Sequence, residues 1–140
     1  MGRTEKRTVT ADVCIRKNKS KSDLALIVSE VTANAAAVYT QNAVKGAPLT
    51  VTKNHLLNGR AQAIICNSGN ANTCNANGIE IAEEMSLLVE KHTGIPAQDV
   101  IVASTGVIGQ QLSIDPISNG MKPLVSGLGR YSERAAAAIM

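Results

Sequence analysis

Two stretches of this 140-residue chain carry groups suited to handling a small polar ligand. Asn67-Ser68-Gly69-Asn70-Ala71-Asn72 offers a run of amide dipoles, and Ser104-Thr105-Gly106 offers hydroxyls beside a glycine. Each follows an apolar run, each contains Gly, and neither carries a charge. Loops of this kind can meet negative charge developing on an oxygen with neutral donors: a hydroxyl, an amide or a backbone N–H. Turn chemistry explains the same residues without a ligand, because Asn and Gly tolerate positive φ and Asn bonds nearby backbone. Composition favours turn chemistry for the Asn-rich stretch and leaves the two readings even for Ser104-Thr105-Gly106, where Ser104 itself is read as turn chemistry.

No complete catalytic set accompanies these stretches. Ser68 is not a nucleophile elbow, since Gly-x-Ser-x-Gly needs a glycine where Cys66 stands. Cys66 closes an apolar run and reads as a buried structural thiol. His55 and His92 have no Asp or Glu at triad or ligand spacing and read as surface histidines. No group of His, Cys, Asp and Glu has the spacing of a metal site, and Gly106-x-x-Gly109 falls short of a phosphate loop. Neither metal nor cofactor is expected.

The elements that must position the two stretches follow from hydrophobic pattern. Leu24 to Val28 is a continuous apolar run, the signature of a strand covered on both faces. Ala35–Thr40 reads as a second strand and Leu49–Thr52, after the Gly46-Ala47-Pro48 turn, as a third. Ala61–Cys66 is again a continuous buried strand, and Asn67–Gly78 is the structured loop leading from it into a helix. That helix covers 79–92: Ile81, Met85 and Leu88 recur at helical spacing, glutamates take the other face, and Gly94 and Pro96 stop it. Val100–Ala103 is the next strand, Pro116–Leu128 a helix and Ser132–Met140 the start of another. Strands and helices interleave without a clean βαβ series, so the fold class is α/β in the mixed α+β sense, a mixed sheet with packed helices.

Composition narrows the function classes. Hydrophobic residues make up 44% and charged residues 18%, enough for a packed core in one domain. Two Tyr, no Phe and no Trp argue against modules that stack bases on aromatic platforms. No apolar run reaches the roughly 18 residues of a membrane span, and no apolar stretch follows the early charges as in a secretory signal. Residues 1–22 hold seven basic against two acidic side chains, and the other 118 hold seven against nine. The start reads as a solvated basic arm, with contact to nucleic acid or an acidic partner as the alternative, and the globular part is not a basic surface. Cys14, Cys66 and Cys74 are an odd set that suits reduced thiols in the cytoplasm.

Taken in order, four stretches resemble the N-terminal part of the ornithine acetyltransferase (glutamate N-acetyltransferase, ArgJ) family. They are Leu24-Ala25-Leu26-Ile27-Val28-Ser29-Glu30, Ala36 to Asn42 with Val44-Lys45-Gly46-Ala47-Pro48, Asn67 to Asn72, and Ser104-Thr105-Gly106-Val107-Ile108-Gly109. The resemblance covers residues 11–140 as a partial α-chain domain and leaves 1–10 as an unmatched basic arm. It implies a layered DmpA/ArgJ-like sandwich. It also implies a precursor that cuts itself before a Thr, which becomes the nucleophile of a β chain and forms an acetyl-enzyme. The substrates implied are N-acetylornithine and glutamate, with acetyl-CoA as a further acetyl donor in bifunctional members; the assembly implied is two α and two β chains in the cytoplasm. Thr105 and Gly106 match the family's oxyanion-hole motif. The family's T-T-D-T stretch, substrate-binding Lys, cleavage site and nucleophilic Thr have no counterpart in residues 1–140, so the chain is expected to be a truncated α piece, inactive by itself. The alternatives are a catalytically silent fragment, or a small-ligand binding or interaction module that uses the Asn-rich loop.

Overall fold

The computed structural model describes residues 8–13 and 22–129. Within them, β1 (Thr8–Val13) and β2 (Leu24–Asn34) are followed by α1 (Ala47–His55), β3 (Arg60–Asn70), α2 (Gly78–Thr93), β4 (Val100–Val107) and α3 (Asp115–Ser126). The sheet runs β1-β2-β3-β4, with the first two pairs antiparallel and β3–β4 parallel. That last pairing is parallel because α2 carries the chain back to the starting end of the sheet, which a tight hairpin cannot do. The mixed sheet with packed helices is the fold class expected. Cys14 and the helix expected over 132–140 lie outside the described residues.

The three helices share one core. Alternation along the strands sends Leu24, Leu26, Ala63, Ile65, Val100 and Val102 to one face. There they meet Val51 of α1, Met85 and Val89 of α2, and Ile117, Met121 and Leu124 of α3. α2 has the predicted spacing and ends at Gly94 in the left-handed conformation, as its glycine stop requires. The opposite face carries Ala25, Ile27, Ile64, Cys66 and Ile101. Of these only Ala25 is buried, and Ile27, Ile64 and Ile101 line a shallow apolar groove of about 220 Å³. The continuous apolar runs therefore do not have both faces covered within the described residues: helices take one, and the other is half-exposed.

Two expected strands are corrected. Leu49–Thr52 is part of α1: Pro48, with its fixed φ and missing N–H, starts the helix, and the alternating β-branched residues that suggest a strand instead place Val51 and Thr52 against the sheet. Ala35–Thr40 is neither strand nor helix. β2 itself continues to Asn34 across an irregularity between Val28 and Ala33 and ends opposite Arg60. Beyond that point Val38 is 99% exposed, so no layer among the described residues covers its side chain.

β4 is the last strand of the sheet, and its outer edge is closed by side chains. The Thr52 hydroxyl donates to Val102 O at 3.0 Å and accepts from Val102 N at 3.0 Å. His55, three residues along the same helix face, donates Nδ1–H to Val100 O at 2.8 Å, and its Nε2 lies 3.3 Å from Glu83 Oε2 of α2. Only 11% of the His55 side chain is exposed, so it is a clamp between α1, α2 and β4 and not a surface histidine. α1 thus stands where a fifth strand would pair, which protects the edge.

Replacing Thr52 by Val keeps the shape and strands both an N–H and a C=O of Val102. The expected loss is about 2–4 kcal/mol in urea unfolding, because an orphaned buried group costs roughly 1–3 kcal/mol. Thr52→Ser keeps the hydroxyl and is expected to lose less than half as much; equal losses for the two variants would contradict this account of the edge.

Candidate functional site

The two stretches singled out in the sequence are neighbours in space. β3 and β4 extend through them as paired strand tails, with Asn67 opposite Ser104, Ser68 opposite Thr105, Gly69 opposite Gly106 and Asn70 opposite Val107. The expected loops at 67–70 and 104–107 are thus strand, and the chain turns away only after them. Pairing continues this far because the glycines let the backbones close up. Gly69 has φ +118 and Gly106 φ +127, and a Cβ on Gly106 would lie 2.3 Å from the Gly69 carbonyl carbon. No side chain fits between the tails.

The edge of β4 changes character here. α1 runs antiparallel to β4, with His55 at Val100 and Thr52 at Val102. Its first residues, Pro48 and Leu49, reach Ser104, where they enclose a cavity of about 270 Å³ with Gly46, Ala71 and Thr73. Gly106 lies one alternation further on. The alternation that aims the N–H groups of Val100 and Val102 outward gives Gly106 the same edge, past the start of the helix. Gly106 and Thr105 are both exposed, and the Thr105 hydroxyl bonds to no described residue. Thr105 points to the sheet face opposite Ser104. Two neutral donors are therefore presented together at the end of a parallel strand, the position where open α/β sheets place ligand-binding groups.

The asparagines are spent on structure. Asn72, 1% exposed and at φ +49, donates to Gly78 O at 2.8 Å and accepts from Asn75 Nδ2 at 3.3 Å, and its carbonyl accepts from Ala47 N at 3.0 Å. Asn70 donates to Gln110 O at 2.6 Å and accepts from Asn72 N at 2.8 Å. Asn67, 2% exposed, accepts from the Ser104 hydroxyl and donates to Asn70 O at 3.1 Å. These bonds tie the tails to the first turns of α1 and α2. Turn chemistry is thus the better reading of the Asn-rich stretch, and a ligand module built on its amides loses its groups. Ser104 is corrected in the other direction: it is a strand residue whose hydroxyl is engaged by a buried amide.

The remaining candidates stay outside the chemistry. Burial pushes the Cys66 thiol up, which lowers its thiolate fraction and fits a structural role. Cys74 is exposed. His92 Nδ1 caps Leu88 O within its own helix at 2.8 Å. Among the described residues no group of three or more His, Cys, Asp and Glu could hold a metal, and no helix is long and apolar enough to cross a membrane. Sequence reasoning misses Thr52, and it includes Asn67 in the Asn-rich stretch without finding its Ser104 partner. The i, i+3 spacing of Thr52 and His55 is a usable signal once α1 is a helix, but the partner of Asn67 is 37 residues away and has none.

Comparison with known proteins gives one consistent result. The model of the ArgJ family matches residues 7–140. The arginine biosynthesis bifunctional protein ArgJ of Geobacter sulfurreducens is 44% identical over 126 residues, which are 89% of this chain and 32% of that protein. Its Bacillus cereus (strain ATCC 10987) counterpart is 49% identical over 109 residues, 76% of this chain and 27% of that protein. The chain thus spans about a third of the length of the curated relatives it matches. Among solved structures, ArgJ from Bacillus halodurans superposes with a TM-score of 0.85 at 37% identity, covering 94% of this chain and 71% of that one. Ornithine acetyltransferase from Mycobacterium tuberculosis, in complex with ornithine, gives 0.83 at 34%, covering 95% and 75%.

The closeness of the two tails can be tested against a glycine with the same sign of φ and open surroundings. Gly94 has φ +77, and nothing lies within 4 Å of where a Cβ would stand, so Gly94→Ala meets only the left-handed backbone penalty of about 1–2 kcal/mol. Gly106→Ala adds a collision with the backbone of β3 and is expected to destabilise clearly more in chemical unfolding. Equal costs for the two would contradict the close approach.

Proposed function

This chain belongs to the ArgJ family, and on that premise we propose that it supplies the oxyanion hole of an acetyltransferase that moves acetyl from N-acetylornithine to glutamate. The observation that carries the reading is the pair of exposed neutral donors, Thr105 Oγ–H and Gly106 N–H, fixed at the end of β4 by the Gly69–Gly106 approach. The nucleophile is the Thr hydroxyl at the head of a β chain from the same precursor. It attacks the acetyl carbonyl carbon, and the carbonyl oxygen takes up negative charge facing Thr105 and Gly106. Collapse breaks the C–N bond as the proton lost by the Thr hydroxyl passes to the departing nitrogen, so ornithine leaves as the amine and the acetyl group stays as an ester on the Thr. The amine of glutamate attacks that ester through a second oxyanion in the same hole, giving N-acetylglutamate and the free Thr. Acetyl-CoA serves as an alternative acetyl donor, and no cofactor takes part.

Neutral donors suit this task. Acetyl transfer creates charge only transiently, and a fixed cation would bind the product carboxylates and the ground state as well as the transition state. The relatives support the reading: one is an ornithine acetyltransferase solved with ornithine, and the others are arginine-biosynthesis proteins. The coverage figures also support a polypeptide divided into chains, since the segment spans 71–75% of the crystallised chains but 27–32% of the curated sequences. The half-exposed sheet face with Ile27, Ile64 and Ile101 is where the remainder of an α2β2 cytoplasmic enzyme would add its layer.

Three outcomes are expected. In a full-length protein of the family carrying this segment, Thr105→Ala lowers kcat by about 10²–10³-fold, the usual effect of removing one oxyanion donor. KM stays within a few fold, because the contact strengthens only in the transition state. Thr105→Ser keeps the hydroxyl and most of the activity. Residues 1–140 alone show no transfer from N-acetylornithine to glutamate and self-associate through their apolar sheet face; turnover by the segment alone, or a monodisperse monomer with a sharp melt, contradicts this. Steady-state kinetics and light scattering decide all three, and a near-wild-type Thr105→Ala removes the oxyanion assignment.

A further inference from the structure

We propose that Asn67 and Ser104 form a positioning pair that sets where the two oxyanion donors stand; the proposal rests on the oxyanion reading above. On the helix-facing side of β3 and β4 the paired residues run Ala63 with Val100, Ile65 with Val102, then Asn67 with Ser104. The first two pairs are apolar and sit in the core. The third is polar although Asn67 is 2% exposed. A buried amide is tolerated only when its groups are satisfied, and here one side chain serves both tails. Its Oδ1 accepts from Ser104 Oγ on β4, and its Nδ2 donates to the Asn70 carbonyl at 3.1 Å on its own strand. Asn70 in turn follows Gly69, the residue against which Gly106 is pressed.

An apolar pair at this point could slide along the strand axis, since dispersion contacts are non-directional. A hydroxyl–amide bond is directional, so it fixes the lateral and axial place of Ser104 relative to β3. Thr105 and Gly106 follow Ser104 directly, past the last α1 contact, where side-chain packing no longer holds β4. The Ser104 hydroxyl lies on the sheet face opposite the Thr105 side chain, so it acts through the backbone and touches no substrate. Small displacements matter for such donors, because they must lie about 2.7–3.1 Å from the oxygen as it becomes charged.

The test uses a full-length family protein carrying this segment and the reaction from N-acetylornithine to glutamate. Ser104→Ala is expected to lower kcat about tenfold with KM within twofold, because the donors are misplaced and not deleted, and Ser104→Thr, which keeps the hydroxyl, to return kcat to within about threefold of wild type. In a Thr105→Ala background the Ser104→Ala effect shrinks to less than half its factor, since one of the donors it places is gone. A purely structural role gives a lower melting temperature with kcat unchanged, no rescue by Thr, or full additivity with Thr105→Ala, and any of these overturns the proposal. Failure of the parent reading looks different: Thr105→Ala itself leaves kcat near wild type, and the positioning role falls with it.

Discussion

The contact between the Gly69 and Gly106 backbones is the constraint on which the rest of the site depends. Parallel strands usually diverge at their ends to enter their connections. Here β3 and β4 stay paired for five further positions, to Asn70 and Val107, after their last buried apolar pair, Ile65 with Val102. They can do so because neither strand carries a side chain where they touch, and both glycines sit at positive φ that other residues rarely adopt. What this achieves is reach: the edge of β4 is carried out beyond the core and beyond α1, so that Thr105 and Gly106 are held by strand pairing and still open to solvent.

Everything behind that point serves to hold it. The core of Leu, Ile, Val and Met side chains anchors the helix face of the sheet without a single large ring. α1 seals the β4 edge through one Thr and one His, and stops short of the donors. The Asn-rich turn then ties the tails to the starts of both α1 and α2 through Asn72. Charge plays almost no part in the site. This agrees with the proposed acetyl transfer, whose oxyanion is transient and whose substrates carry charges that a cationic site would bind nonproductively.

Most of the architecture is legible in the sequence where periodicity and burial coincide. The α2 spacing, its Gly94 stop and the strands through 24–28 and 61–66 follow from local pattern alone, although helices cover only one face of those strands. Two elements are not legible in this way. Leu49–Thr52 alternates like a strand, yet Pro48 at the helix start and the edge of β4 as a partner for Thr52 decide for helix, and the second of these is a tertiary fact. Ala35–Thr40 has strand-forming residues but no neighbouring strand to pair with, since β2 ends at Asn34. The two functional stretches are visible as stretches. That they lie side by side is not, because the 36 residues between Asn67 and Ser104 include a whole crossover helix. The role of Ser104 escapes sequence reasoning for the same reason: its partner is distant in sequence and buried.

The most direct test of the central claim observes the proposed donor itself. A full-length family protein carrying this segment, labelled with ¹⁵N-glycine, can be followed by NMR as an acyl-like boronic acid adds to the nucleophilic Thr and places a negatively charged oxygen where the oxyanion forms. The account predicts that the Gly106 amide proton shifts downfield on addition and exchanges with solvent at least about tenfold more slowly, as a new charge-assisted hydrogen bond requires. A bound adduct that leaves the Gly106 amide unmoved, while a different backbone amide takes up the shift, would contradict it.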